Sequence, residues 1–192
     1  MSKVLIVLDP GHFHGINNGV IEGYCEGDKM FTLSQYQKKA LETLGFKVVI
    51  THKVNKDLSL YERGKIAADK SDKFDKVVFI SNHTSDSENG VGIYRSVKCN
   101  GSVALGNLLL DNIISITGTD RRGVLARKGH YGDIYGVLRG ATIKQDNRVD
   151  AFIIQYGNHN NEAECEYLNN DENLKAIADA VANTLYKYFS KE

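Results

Sequence analysis

The chain has 192 residues, 42% of them hydrophobic, with 24 acidic and 24 basic side chains and a formal net charge of zero. That size and apolar content suit one compact core. The even charge balance gives no basic surface to point to a nucleic acid partner and no charge block of the kind that forms a disordered tail.

The N-terminus, "MSKVLIVLDPGH", carries one lysine and a very short apolar run before aspartate, which predicts a first strand over residues 3–8 and no secretion signal. Residues 28–44 predict a helix, because Met30, Leu33, Tyr36, Ala40, Leu41 and Leu44 recur at helical spacing and Gly45 stops it. "FKVVIT" (46–51) predicts a strand, and 59–70 a helix capped by Ser59 with Glu62 as its capping-box partner. "DKVVFISNH" (75–83) and "GVGIYRS" (90–96) read as strands, and 102–117 as a helix with Ser102 as cap and Gly118 after its end. The Gly- and charge-rich segment 119–149 is expected to be loop with a short helix. "DAFIIQYGN" (150–158) reads as a strand and 171–189 as a closing amphipathic helix. There is no internal repeat, no Pro/Ser linker and only one proline, Pro10, so residues 1–192 are read as a single domain. Strands alternating with helices predict an α/β fold with a mostly parallel, twisted central sheet flanked by helices. No aliphatic run is long enough to span a bilayer, so membrane insertion is not expected. Cys25, Cys99 and Cys165 are odd in number and lack CxxC spacing, which favours free thiols over a disulfide framework or a structural zinc site.

Sheets of this class place function just beyond the carboxyl ends of their strands. Three such ends are polar here: Asp9 to His14, Ser81 to Ser85, and Gln155 to Asn160. Two strand-end histidines, His12 and His83, are candidate metal ligands, since a catalytic zinc takes three protein ligands and keeps one open position. A carboxylate from the intervening segment would complete the set, and both Glu22 and Glu26 are available. His14, His52, His130 and His159 compete with the two chosen histidines.

"LDPGH", "SLYERGKIAA", "VFISNHTS", "GVGIY", "RRGV" followed by "VLR", and "AFIIQYGNHNNEAECEYL" occur in that order along almost the whole chain. In this it resembles the zinc-dependent N-acetylmuramoyl-L-alanine amidases of the amidase-3 type, found in bacterial autolysins and phage endolysins. The resemblance implies Zn2+ held by His12, Glu26 and His83, with Glu26 preferred over Glu22 because a helix follows it at the family's distance. It implies hydrolysis of the amide between N-acetylmuramic acid and L-alanine in peptidoglycan. Together with the N-terminal sequence, it implies action on the cell wall by a protein made in the cytoplasm without a leader and released by lysis; many such enzymes carry a separate wall-binding domain, and none is visible in this stretch.

One departure bears on activity. The family places a catalytic glutamate at the end of the late strand, and here that position is Gln155. Glutamine has nearly the same shape but accepts no proton at neutral pH, so an inactivated form is expected. Such a form is either a variant of the kind made to trap substrate or a natural protein that holds zinc and muropeptide without turnover. A zinc peptidase of related fold is a further alternative. Around the centre, Asp9 is expected to orient His12, Arg63 to form a buried supporting ion pair, Asn158 to cap a turn or the wall of the site, and His130 to bond substrate. Tyr131, Tyr135, Arg127 and Lys128 form an elaborated loop suited to sugar or peptide. Asn82 and His52 stand where the family more often has an aliphatic and an arginine.

Overall fold

The computed structural model describes residues 3–52, 58–99, 102–145 and 147–190. In chain order its elements are β1 (Val4–Pro10), α1 (Glu26–Thr43), β2 (Lys47–Ile50), α2 (Leu60–Lys70), β3 (Lys76–Ser85), β4 (Val91–Arg95) and α3 (Ser102–Thr117). Next come β5 (Arg121–Leu125), the short pair β6 (Lys128–Gly129) and β7 (Gly132–Asp133), α4 (Gly136–Ala141), β8 (Val149–Asn158), α5 (Glu162–Asn169) and α6 (Asp171–Phe189). Six strands form one sheet in the order β2-β1-β3-β8-β4-β5. The first four run parallel. β4 runs antiparallel to β8, and β5 is parallel to β4.

The two-residue alternation of the strands divides the core between the two faces of the sheet. Ile6, Leu8, Val78, Ile80, Phe152 and Ile154 are fully buried on the face covered by α1, α3 and α6. Leu5, Val7, Val77, Phe79 and Ala151 point the other way, against Ala67 of α2 and Val137, Leu138 and Ala141 of α4. Both faces are apolar because both are covered, which is why these strands read as continuous hydrophobic runs. The alternation continues past the apolar residues. Asp9, Ser81 and Gln155 inherit the α2 face, while Asn82 and Tyr156 inherit the α1 face.

Asn82 explains itself there. Its amide donates to Ser34 Oγ at 2.8 Å and Gln37 Oε1 at 2.7 Å, and its oxygen accepts from Tyr156 Oη at 2.8 Å. Gln37 Nε2 closes the ring on Tyr156 Oη at 3.0 Å. This buried polar cluster ties α1 to β3 and β8 directly beneath the strand ends. Burial pushes the Tyr156 phenol up from its ordinary value, so it stays a neutral donor.

The expected elements are present with small boundary shifts. β1 and β3 each run two residues further than expected, through Pro10 and Ser85, and α1 begins two residues earlier, at Glu26. The Ser59–Glu62 capping box is formed. Ser102 is a correction: it is the first described helical residue of α3, and its hydroxyl donates to Cys99 O at 2.8 Å instead of capping. Segment 119–149 holds the expected short helix, α4, and is a second correction in its strands, β5 and the β6–β7 hairpin. β5 is an edge strand, half exposed, so its sequence "RRGVL" shows no buried run. α5 is also beyond the sequence expectation; it buries only Cys165 and Leu168.

Candidate metal centre

β1, β3 and β8 are neighbours in the sheet, so their carboxyl ends converge at one rim. β1 delivers Asp9 and Pro10, then turns sharply at Gly11. The Gly11 N–H bonds Asn82 O at 2.8 Å. A Cβ on Gly11 would lie 2.3 Å from that oxygen and 2.7 Å from the His83 ring, so only glycine fits. His12 comes next with φ of 60°, a left-handed conformation that is strained for a non-glycine residue. This turn swings the His12 ring towards that of His83, with centroids 4.9 Å apart.

Glu26 opens α1 and is 1% exposed. A helix N-terminus favours a carboxylate, because the unpaired N–H groups there carry partial positive charge. Its Oε1 lies 3.2 Å from His83 Nδ1 and its Oε2 3.4 Å from His12 Nε2. One ligand atom from each of the three residues falls within 4.8 Å of the others. Burial alone would raise the Glu26 carboxyl. The hydrogen bond and charge of His83, then the charge of His12 and the Thr84 N–H at 2.8 Å, outweigh it and hold the pKa down at about 2. Burial lowers the pKa of His12 despite the pull of Glu26. A neutral imidazole and an ionised carboxylate are the forms a divalent cation needs from its ligands. Two partly exposed histidines and one buried carboxylate therefore fit a catalytic zinc site.

Arg63 forms a buried ion pair as expected, and Asp9 departs from its expected role. Asp9 does not bond His12. It is fully buried on the α2 face, where it accepts from Arg63 Nε at 2.7 Å, Arg63 Nη2 at 3.0 Å, Thr51 Oγ1 at 2.6 Å and Ser81 Oγ at 2.6 Å. Arg63, Thr51 and Ser81 take up both carboxylate oxygens, so Asp9 anchors the turn through the backbone. Arg63 Nη2 also donates to Pro10 O, which His52 Nε2 meets at 2.9 Å. Asn17, not anticipated from sequence, is what touches His12: its Nδ2 lies 3.1 Å from His12 Nε2 and 3.0 Å from Glu26 Oε2. Behind Glu26, Thr84 Oγ1 meets His159 Nδ1 at 2.8 Å, and that nitrogen is 3.7 Å from Glu26 Oε2. His14 instead pairs with Asp28 near the surface.

Gln155 is the register partner of His83 on the adjacent parallel strand, which puts both side chains on the same face in one row. Its Oε1 accepts from Arg122 Nη1 at 2.8 Å. Asn158 caps the turn after β8: its Oδ1 accepts from Asn160 N at 2.9 Å and its Nδ2 donates to Asn89 Oδ1 at 2.8 Å. Glu164 is committed elsewhere, accepting from Gly90 N at 2.9 Å and Asn158 N at 2.7 Å. His130 sits by the β6–β7 hairpin, edge-on to the exposed Tyr131 with centroids 4.6 Å apart, and has no hydrogen bond to the triad among the described residues. Tyr135 turns inward onto Tyr94, 5.1 Å between centroids, and Arg127 lies 4.7 Å over the Tyr94 ring.

Comparison with known proteins then decides the family. Residues 6–187 match the Amidase_3 model, described as N-acetylmuramoyl-L-alanine amidase. The chain belongs to this family. Among solved structures it is similar to Cwp6 from Clostridium difficile, with 25% identity and a TM-score of 0.80 over 95% of this chain. The chain spans only 29% of the Cwp6 chain. It is similar also to the catalytic domain of CwlV, the N-acetylmuramoyl-L-alanine amidase from Bacillus (Paenibacillus) polymyxa var. colistinus, with 20% identity and a TM-score of 0.79 over 98% of this chain and 99% of that one. The amidase AmiC2 of Nostoc punctiforme gives 22% identity and a TM-score of 0.78, covering 98% of each chain. No curated protein sequence matches significantly. Among the described residues, no helix is long and apolar enough to cross a membrane. Membership of the amidase family supports peptidoglycan amide hydrolysis.

Proposed function

We propose that the chain is a zinc-dependent N-acetylmuramoyl-L-alanine amidase domain whose turnover is blocked at Gln155. The reading is carried by one observation: His12, Glu26 and His83, drawn from three distant segments, bring ligand atoms within 4.8 Å of one another, with Gln155 in register beside His83. These three residues would hold the ion, which when bound supplies Lewis-acid polarisation of the scissile carbonyl and a lowered pKa for the attacking water.

The remaining work falls to the chain's own groups. Asn17 and Thr84 fix both oxygens of Glu26, so the carboxylate is oriented before any ion arrives. A base at position 155 must take a proton from water and return it to the leaving L-alanine amine. Glutamine holds no lone pair basic enough to do so, and loss of a general base lowers rates by about 10²–10⁴-fold. The arrangement therefore binds muropeptide and does not release it as product. Hydrolysis of the cell wall after lysis of the host is the setting we infer for the parent activity.

The test has two parts. Metal analysis is expected to give one zinc per chain, lost in His83→Ala and in Glu26→Gln. Gln155→Glu is expected to release stem peptide with a free L-alanine amine from muropeptide. Zinc that persists in His83→Ala refutes the ligand set. Absence of turnover in zinc-loaded Gln155→Glu refutes the blocked-base reading, and cleavage within the peptide would mark a zinc peptidase instead.

A further inference from the structure

Position 155 is gripped from the side opposite the triad. Arg122 comes from the edge strand β5 and its side chain is 9% exposed. It reaches over β4 at Gly92, the register partner of Gln155. A Cβ at Gly92 would lie 3.1 Å from Arg122 Cζ and 3.2 Å from its Nε, so the missing side chain makes the trough in which the guanidinium lies. Three groups hold it there: Gln155 Oε1 at 2.8 Å, Tyr94 Oη at 3.0 Å and the Glu88 carboxylate. Glu88 also accepts from Tyr94 Oη at 3.3 Å.

The chemistry of this contact settles which way the carboxamide faces. A guanidinium has donors and no acceptor, so only the oxygen of Gln155 can face it. The amide nitrogen is then the atom of the head group left free of Arg122. It has no hydrogen bond to a protein group among the described residues.

We infer that Arg122 is the positioning residue for position 155. It turns that head group so that one atom is spent on the guanidinium and the other is presented to the cleft. In this chain the presented atom is an N–H2 donor. With glutamate restored it would be a free carboxylate oxygen, while the second oxygen stays paired with Arg122. Glu88 and Tyr94 keep Arg122 seated, and Gly92 keeps its path open. The kinetic part of this inference rests on the amidase reading; the orientation does not.

Two measurements test it separately. In the chain as it stands, the Gln155 side-chain NH2 signal can be assigned in a nitrogen-15 NMR spectrum by its loss in Gln155→Glu. It is expected outside the crowded region of solvent-exposed carboxamides. In Arg122→Met it should collapse into that region, with Arg122→Lys and Gly92→Ala intermediate, while zinc content stays at one per chain. In the Gln155→Glu background, Arg122→Met is expected to lower kcat about 10–100-fold, less than loss of the general base itself, with KM nearly unchanged. Arg122→Lys should restore part of that rate. A Gln155 signal unmoved in Arg122→Met overturns the proposal, as does a double variant whose kcat stays within about twofold of Gln155→Glu. If Gln155→Glu is itself inert, the blocked-base reading fails and the carboxamide signal alone decides the role of Arg122.

Discussion

Replacing Arg63 by methionine should unfold the support beneath the metal centre without touching a ligand. Asp9 and Arg63 are almost completely buried, with side chains 0% and 2% exposed. The substitution keeps most of the side-chain volume but leaves the Asp9 carboxylate uncompensated in the core. Removing one partner of a buried pair costs about 3–5 kcal/mol. Thr51 and Ser81 still donate to Asp9 at 2.6 Å each, which argues for the lower end of that range. In urea, with a slope of about 2–3 kcal/mol/M for a domain of this size, a loss of about 3 kcal/mol moves the midpoint down by about 1–1.5 M. Equilibrium unfolding of metal-free protein measures this directly. A double variant, Asp9→Asn with Arg63→Met, should recover part of the loss, because no bare charge remains. A single-variant loss below about 1 kcal/mol, or a double variant less stable than the single, would refute the electrostatic account.

Asn82→Leu installs the residue type the family more often carries, yet should destabilise by at least about 2 kcal/mol, because Ser34, Gln37 and Tyr156 lose buried partners worth about 1–3 kcal/mol each; thermal unfolding checks it. Asn17→Ala should weaken zinc about 10–100-fold in a chelator competition while leaving the fold intact, as expected for a group that orients two ligands. Acid should erode stability steadily. The Glu26 pKa is lowered from an ordinary 4.5 to about 2, so its contribution is complete above pH 4.5 and is lost as pH falls towards 2. His12 is lowered as well, from an ordinary 6.5, and adds a loss that begins below that value. Urea midpoints of the metal-free protein at pH 7, 5 and 3 should therefore fall in that order, and a rise between pH 7 and 5 would contradict the assignment.

Much of this architecture is legible in the residues alone. Apolar runs bounded by glycines mark the buried strands, because a sheet covered on both faces leaves no polar alternation to confuse the pattern. The polar residues that end those runs mark the rim. The elements that escape a sequence reading lack burial to announce them. β5 is an edge strand carrying Arg121 and Arg122, and nothing in "RRGVL" distinguishes it from a charged loop. α5 has a usable sign in Asn161, whose side chain caps Glu164 N at 3.1 Å, three residues on, but its apolar face is too small for periodicity to show. Asn17 depends on a left-handed backbone, φ of 61°, and its only sequence trace is that asparagine tolerates that conformation better than most residues. Proximity along the chain makes Asp9 look like a partner of His12, whereas its carboxylate is taken up by Arg63, Thr51 and Ser81 from distant segments.

The reversal of β4 and β5 has an evolutionary consequence. On the β1–β3–β8 side, the rim is built from the segments C-terminal to each strand, and every proposed ligand except Glu26 is delivered there. On the far side it is built from the segments N-terminal to each strand: the 86–90 connection from β3 to β4 and the approach to Arg122. Insertions or exchanges in those lead-in segments would reshape that bank of the rim and leave His12, Glu26 and His83 alone. The two banks can thus drift independently in this scaffold.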